Sequence, residues 1–142
     1  QGIKRRGSGH RIAQVSYTIK NLRESEDFAA KQGFSEAQEA RFPHHDLDAE
    51  QTGLALIAVK PGKRQPFAHR HKDAEEIYVA LSGAGTLRLD DEILEIGPMD
   101  AIRISPEHTR MIDAGPEGLE ILAFGPRHEG DAELIPDFWE EG

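Results

Sequence analysis

The chain has 142 residues, 30% of them charged and 37% apolar, with a formal net charge of −9. That length suits one domain with one core and leaves little room for a second. An excess of 26 Asp and Glu over 17 Lys and Arg repels phosphate backbones and argues against nucleic acid as a partner. No apolar run approaches the roughly 18 residues that a bilayer span needs, and no stretch has the pattern of a signal peptide. With no membrane segment and no cysteine, a cytoplasmic protein is expected. The missing cysteines exclude disulfides, thiolate metal sites and thiol nucleophiles, so the seven histidines supply whatever nitrogen ligands there are.

In chain order, residues 1–14 are basic and Gly-rich (Lys4, Arg5, Arg6, Gly7, Gly9, Arg11) and read as a flexible tail before a single domain over 15–142. Val15–Lys20 alternates apolar and polar residues, the period of a strand. Ser25–Gln32 reads as a short helix with Ser25 as N-cap and Gly33 as its stop. Ala40–Pro43 suits a short extended piece, and the loop after it carries His44 and His45, expected in solvent. From residue 53 the chain breaks into short apolar segments: 54–60, 67–71, 76–81, 86–89, 93–96, 101–104, 109–112 and 119–124. Turn signals divide them, among them Pro61-Gly62, Ser82-Gly83-Ala84-Gly85, Gly97-Pro98 and Gly115-Pro116. Strands so closely spaced, with no helical pattern between them, indicate an all-β sandwich or barrel. In the acidic tail, Phe138-Trp139 is expected to dock on the body through apolar burial.

The segment from Gly62 to Gly83 carries the chemistry. In a strand, residues i and i+2 point to one face about 6.5–7 Å apart, so His69 and His71 aim two imidazoles at one point. A turn of four residues follows, and Glu76 opens the next strand, where an antiparallel neighbour brings its carboxylate beside the histidines. Two nitrogens and a carboxylate suit a divalent transition metal such as Fe, Mn, Ni or Zn better than Mg or Ca. Tyr78 shares the parity of Glu76 and lines the same face. Glu75 faces away, into solvent. Arg88 and Arg103 point inward or outward, which parity does not decide.

Residues 54–124 resemble the cupin superfamily of small β-barrels. Its first motif is a Gly, a spacer, His-x-His, a Glu and a closing Gly, and Gly62, His69, His71, Glu76 and Gly83 match it. The resemblance implies a double-stranded β-helix with a short N-terminal helix before it, and His69, His71 and Glu76 as metal ligands. It also implies a homodimer, for which a strand at Val15–Lys20 would serve.

The second motif departs from the family pattern. Counted from Asp100, the position of the family's fourth ligand, a histidine, falls on Arg110, and His108 stands two places earlier. Three arrangements fit: His108 as fourth ligand through a shortened turn; a three-ligand centre with open positions; and a metal-free pocket in which Arg110 pairs with Glu76 or holds an anion. The functional expectation is a metal-dependent enzyme on a small acidic metabolite, of oxygenase, isomerase or decarboxylase type, with Arg110 and Tyr78 binding the substrate. The alternative is a non-catalytic barrel that binds a small anion through Arg110.

Overall fold

A computed structural model describes Gly2, Ser16 to Pro136 and Phe138. The basic tail over 1–14 therefore lies outside the described residues, apart from Gly2, and so does Trp139. A single turn of 3-10 helix, Leu22–Glu24, precedes helix α1, Phe28–Lys31. Eight strands follow: β1 (Gln38–Arg41), β2 (Thr52–Val59), β3 (Ala68–His71), β4 (Glu76–Leu89), β5 (Glu92–Ile96), β6 (Ala101–Ile104), β7 (Arg110–Pro126) and β8 (Ala132–Ile135).

Two long strands, β4 and β7, run side by side and organise the rest. The first half of β4 pairs with the second half of β7, and the second half of β4 with the first half of β7. In one wall, β7 pairs outward with β2, β2 with β1, and β4 with β6. In the other, β7 meets β3, β3 pairs with β8, and β4 with β5. The two walls fold over each other as a double-stranded β-helix, with one core between them. Leu87, Ile104, Ile112 and Ile121 are at most 1% exposed, and each such side chain stabilises the fold by about 1.5–3 kcal/mol through apolar burial.

The bend in β4 corrects one expectation. Ser82–Gly85 does not turn the chain back but lies inside β4, where the ladder to β7 slips twice, between Ala80 and Ser82 and between Gly83 and Gly85. Gly115-Pro116 likewise lies inside β7. These are bulges that carry one strand from wall to wall. Gly83 has φ +77°, and a Cβ there would stand 2.0 Å from the Gly118 carbonyl oxygen.

The N-terminal elements also differ from expectation. Tyr17–Lys20 is not in a strand. Asp27, not Ser25, caps α1, accepting from the N–H groups of Ala29 and Ala30, while the Ser25 hydroxyl is bonded to the Asp46 carboxylate. An Asp at the cap also favours the helix dipole. Phe138 docks as expected: it is 7% exposed, and the Arg88 guanidinium lies 4.1 Å from its ring centroid. Arg88 is thereby buried beneath Phe138 on the face of β4 opposite Leu87, and Arg103 lies at the surface beside Glu75. Strand β8, in the acidic stretch, has no counterpart among the expected elements.

Gly83→Ala should lower unfolding stability by about 2–3 kcal/mol, because a left-handed backbone and a blocked crossing both oppose the methyl group. Gly62→Ala, at φ +68° with nothing within 4 Å, should lose only about 1 kcal/mol. Urea unfolding of the two variants measures the contrast, and equal losses would remove crowding at the β4–β7 crossing as a factor.

Candidate metal centre

Strand geometry brings the expected cluster together. His69 and His71 alternate with Arg70 on β3, so both imidazoles face the interior while Arg70 reaches Glu133 on the outer face. The turn 72–75 returns the chain so that Glu76 opens β4 in the opposite wall. One ligating atom from each of His69, His71 and Glu76 lies within 4.8 Å of the others. His71 Nε2 is 3.0 Å and His69 Nε2 is 3.6 Å from Glu76 Oε1.

A residue outside the sequence expectations holds this arrangement. Asp131, 5% exposed, accepts from the N–H groups of Asp73 and Ala74 at 2.9 and 3.0 Å. Its Oδ2 also lies 3.1 Å from His71 Nδ1. Asp131 is held below the usual carboxylate range: burial opposes this, but the two backbone donors and His71 outweigh it. An ionised carboxylate only accepts hydrogen bonds, so Nδ1 of His71 carries the proton. Nε2 is then the nitrogen turned to Glu76, and it is buried with no hydrogen-bond partner despite the 3.0 Å approach. Two electron-rich atoms this close, with no hydrogen bond between them, make a cation-ready pair. A carboxylate behind the ligating imidazole is the usual support of a metal-bound histidine. The donor set thus fits a divalent transition metal on the chemistry of its own residues.

Arg110 takes the place where a fourth ligand would stand. It lies directly opposite His69 in the β3–β7 ladder, so its side chain shares the interior face. It is fully buried, and its Nη1 lies 3.4 Å from Glu76 Oε1 while its Nη2 donates to the Ser105 carbonyl at 3.0 Å. His108 is elsewhere: its Nδ1 sits 2.7 Å from Asp90 Oδ2, with 44% of the side chain exposed. The structure therefore does not bring His108 into the cluster, because the turn before β7 directs it to the Asp90 corner. The contact of Arg110 with Glu76 matches one of the three arrangements read from the sequence, and Arg110 is not among the residues lining the two cavities at the centre. It faces Glu76 rather than a ligand.

The charges follow from these contacts. Burial alone would raise the Glu76 pKa, but hydrogen bonds and charge from the His69 and His71 imidazoles in their protonated form outweigh it and hold the carboxyl at about 2. His69 is pushed below the ordinary histidine value, first by burial and further by Arg110 and His71, against the opposing pull of Glu76. An ionised Glu76 and a neutral His69 are the forms that bind a metal. Tyr78 is 5% exposed, and burial together with the Glu76 charge raises its phenol pKa. It remains a neutral hydrogen-bond donor.

Two cavities meet at this cluster, with His71 and Glu76 in the wall of both. The larger, about 350 Å³, lies under α1 and β1 and includes Tyr78 in its wall. The second, about 300 Å³, is lined by His44, His45, Arg127 and His128. His44 is thus not a plain surface residue, since its Nδ1 lies against the backbone of Leu54.

No family model matches the chain. An uncharacterised protein of Methanocaldococcus jannaschii is 33% identical over 81 residues, which cover 55% of this chain and 65% of that protein. The match thus spans slightly less than two thirds of the relative. Among solved structures, a cupin protein from Bacteroides fragilis aligns over 82% of this chain and 88% of its own, with TM-score 0.64 and 24% identity. A putative sugar phosphate isomerase from Acidithiobacillus ferrooxidans aligns over 70% and 76%, with TM-score 0.58 and 24% identity. Oxalate decarboxylase from Bacillus subtilis aligns over 75% of this chain and 30% of its own, with TM-score 0.61 and 22% identity. These likenesses establish the fold.

The Glu76 pKa gives a pH prediction. Its folded value of about 2 lies below the ordinary 4.5, so its contribution to stability is full above 4.5 and is lost as pH falls through 2. The stability advantage of wild type over Glu76→Gln, from urea unfolding, should therefore shrink as pH is lowered from 5 to 2. An advantage unchanged over that window would mean that folding does not lower the Glu76 pKa.

Proposed function

We propose, on the premise that the chain is a cupin by fold, that its barrel holds a divalent transition metal on His69, His71 and Glu76 and acts there on a small molecule. The observation that carries this reading is the His71 imidazole. Asp131 fixes its Nδ1, and its buried Nε2 has no hydrogen-bond partner although a carboxylate oxygen is 3.0 Å away. When bound, the ion supplies Lewis-acid polarisation of a ligand oxygen.

The protein's own groups do the rest. Asp131 fixes the imidazole that faces the ion. Arg110 offsets the buried charge of Glu76 and closes the position behind it. Tyr78, neutral and on the cavity wall, is placed to donate a hydrogen bond to a ligand oxygen. A fold alone does not specify a reaction, and a His-His-Glu set is compatible with oxygenase, isomerase or decarboxylase chemistry. Arg110 gives no support to an acidic substrate, because it faces Glu76 and not a cavity.

Metal analysis of the purified protein tests the reading. Stoichiometric Fe, Mn, Ni or Zn is expected, lost in the His69→Ala/His71→Ala variant, while Asp131→Ala should weaken zinc binding about 10–100-fold. A protein that takes up none of these ions under titration would overturn it.

One observation favours a second reading, a metal-free centre: the ion pair between Arg110 and Glu76 at 3.4 Å. If that pair alone neutralises Glu76, Arg110→Met should cost about 3–5 kcal/mol whether or not zinc is present. If the metal reading holds, zinc should restore much of that loss, because the ion replaces the guanidinium as the partner of the carboxylate. Thermal unfolding with and without zinc measures the difference.

A further inference from the structure

From the wall of the larger cavity, we infer that the barrel takes a compact ligand with an apolar, ring-sized body, and that phosphorylated sugars do not fit it. The inference deepens the proposed small-molecule function but does not depend on the metal.

Two edge-to-face aromatic pairs flank the space. Phe28 of α1 and Phe42 after β1 have centroids 5.6 Å apart, and Phe34 and Phe67 have centroids 5.4 Å apart. All four rings line the cavity. Among the described residues lining it, there is no Lys and no Arg, and the one acid is Glu76 at its floor. Of its glutamines, Gln65 is already committed, its amide donating to Gln38 and its oxygen accepting from the Ile112 N–H.

The volume, about 350 Å³, is at the lower end of small-molecule sites. A phosphate brought into such a space loses its hydration and gains no cationic donor, which costs several kcal/mol. An aromatic or branched aliphatic body meets ring faces and edges there and gains both apolar burial and aromatic contact. The floor of the cavity is the His69, His71 and Glu76 cluster, with Tyr78 beside it. The ligand's polar head therefore belongs at the floor and its apolar body beneath α1. Arg127 and His128 line the second cavity and not this one.

Binding of phenol and of glucose 6-phosphate to the full chain, followed by ligand-observed NMR, tests this. Phenol should bind at least tenfold more tightly than glucose 6-phosphate. Phe34→Ala and Leu134→Glu should each weaken phenol at least fivefold. Leu134 lines the cavity yet is 60% exposed, so Leu134→Glu should fold even if Phe34→Ala does not. Tighter binding of glucose 6-phosphate, or phenol affinity unchanged in the folded variants, would overturn the inference. The His69→Ala/His71→Ala variant separates it from the metal reading, because phenol binding should persist there. A wild-type protein that binds phenol but no metal would sink the metal centre alone, and one that binds metal but not phenol would sink this inference alone.

Discussion

The centre depends on one buried carboxylate. Glu76 stands between the walls of the barrel, and three groups that are or can become cationic face it: His71 at 3.0 Å, Arg110 at 3.4 Å and His69 at 3.6 Å. A carboxylate taken out of water costs several kcal/mol unless it is paired. Among the described residues of the centre no other group supplies that charge: Tyr78 is neutral, and Asp131 has the wrong sign. The positions of the imidazoles, the burial of Arg110 and the low Glu76 pKa are all consequences of placing that charge there.

What places it is the pair of long strands. Glu76 is the first residue of β4, and Arg110 is the first of β7, so the two charged groups enter from opposite walls. Only because β4 and β7 bend from one wall to the other do these strand starts converge near β3. The bend in turn requires the backbones to approach more closely than any side chain allows, as at Gly83 against Gly118. The glycine that closes the sequence motif is thus tied mechanically to the cluster of His69, His71 and Glu76. It lies seven residues from Glu76 along the strand and has no chemistry of its own.

The legible part of the sequence was the part with a short period. The alternation of His69, Arg70 and His71, the turn after them and the parity of Glu76 and Tyr78 follow from strand geometry, and the structure agrees with all of them. Counting from Asp100 to the family's ligand position led to Arg110, and the β3–β7 register shows why: residue 110 is the one opposite His69. Long-range effects were not legible. Asp131 lies 60 residues from the histidine it holds, in an acidic stretch with no periodic signal. The turns expected at Ser82–Gly85 and Gly115-Pro116 failed for a different reason. Glycine marks close backbone approach as readily as chain reversal, and the sequence does not distinguish the two. His108 was a candidate through a shortened turn before the strand, and the turn instead carries it to Asp90, 2.7 Å from its Nδ1.

Arg110 also bears on which ions such a centre would favour. With its Nη1 3.4 Å from Glu76 Oε1, its positive charge would offset part of the attraction that Glu76 exerts on an ion. At an effective dielectric near 20, a unit-charge pair at 4 Å is worth about 4 kcal/mol, so the offset would be sizeable for a dication. What remains is the bonding of two imidazoles, one of them fixed by Asp131. Hard ions that rely on carboxylate charge, Mg and Ca, lose most under this balance, and Mn loses more than Ni or Zn, which bind nitrogen more strongly. A centre with an arginine beside its one carboxylate would therefore lean on the two imidazoles, and an ion held there would be drawn from the nitrogen-preferring end of the transition series.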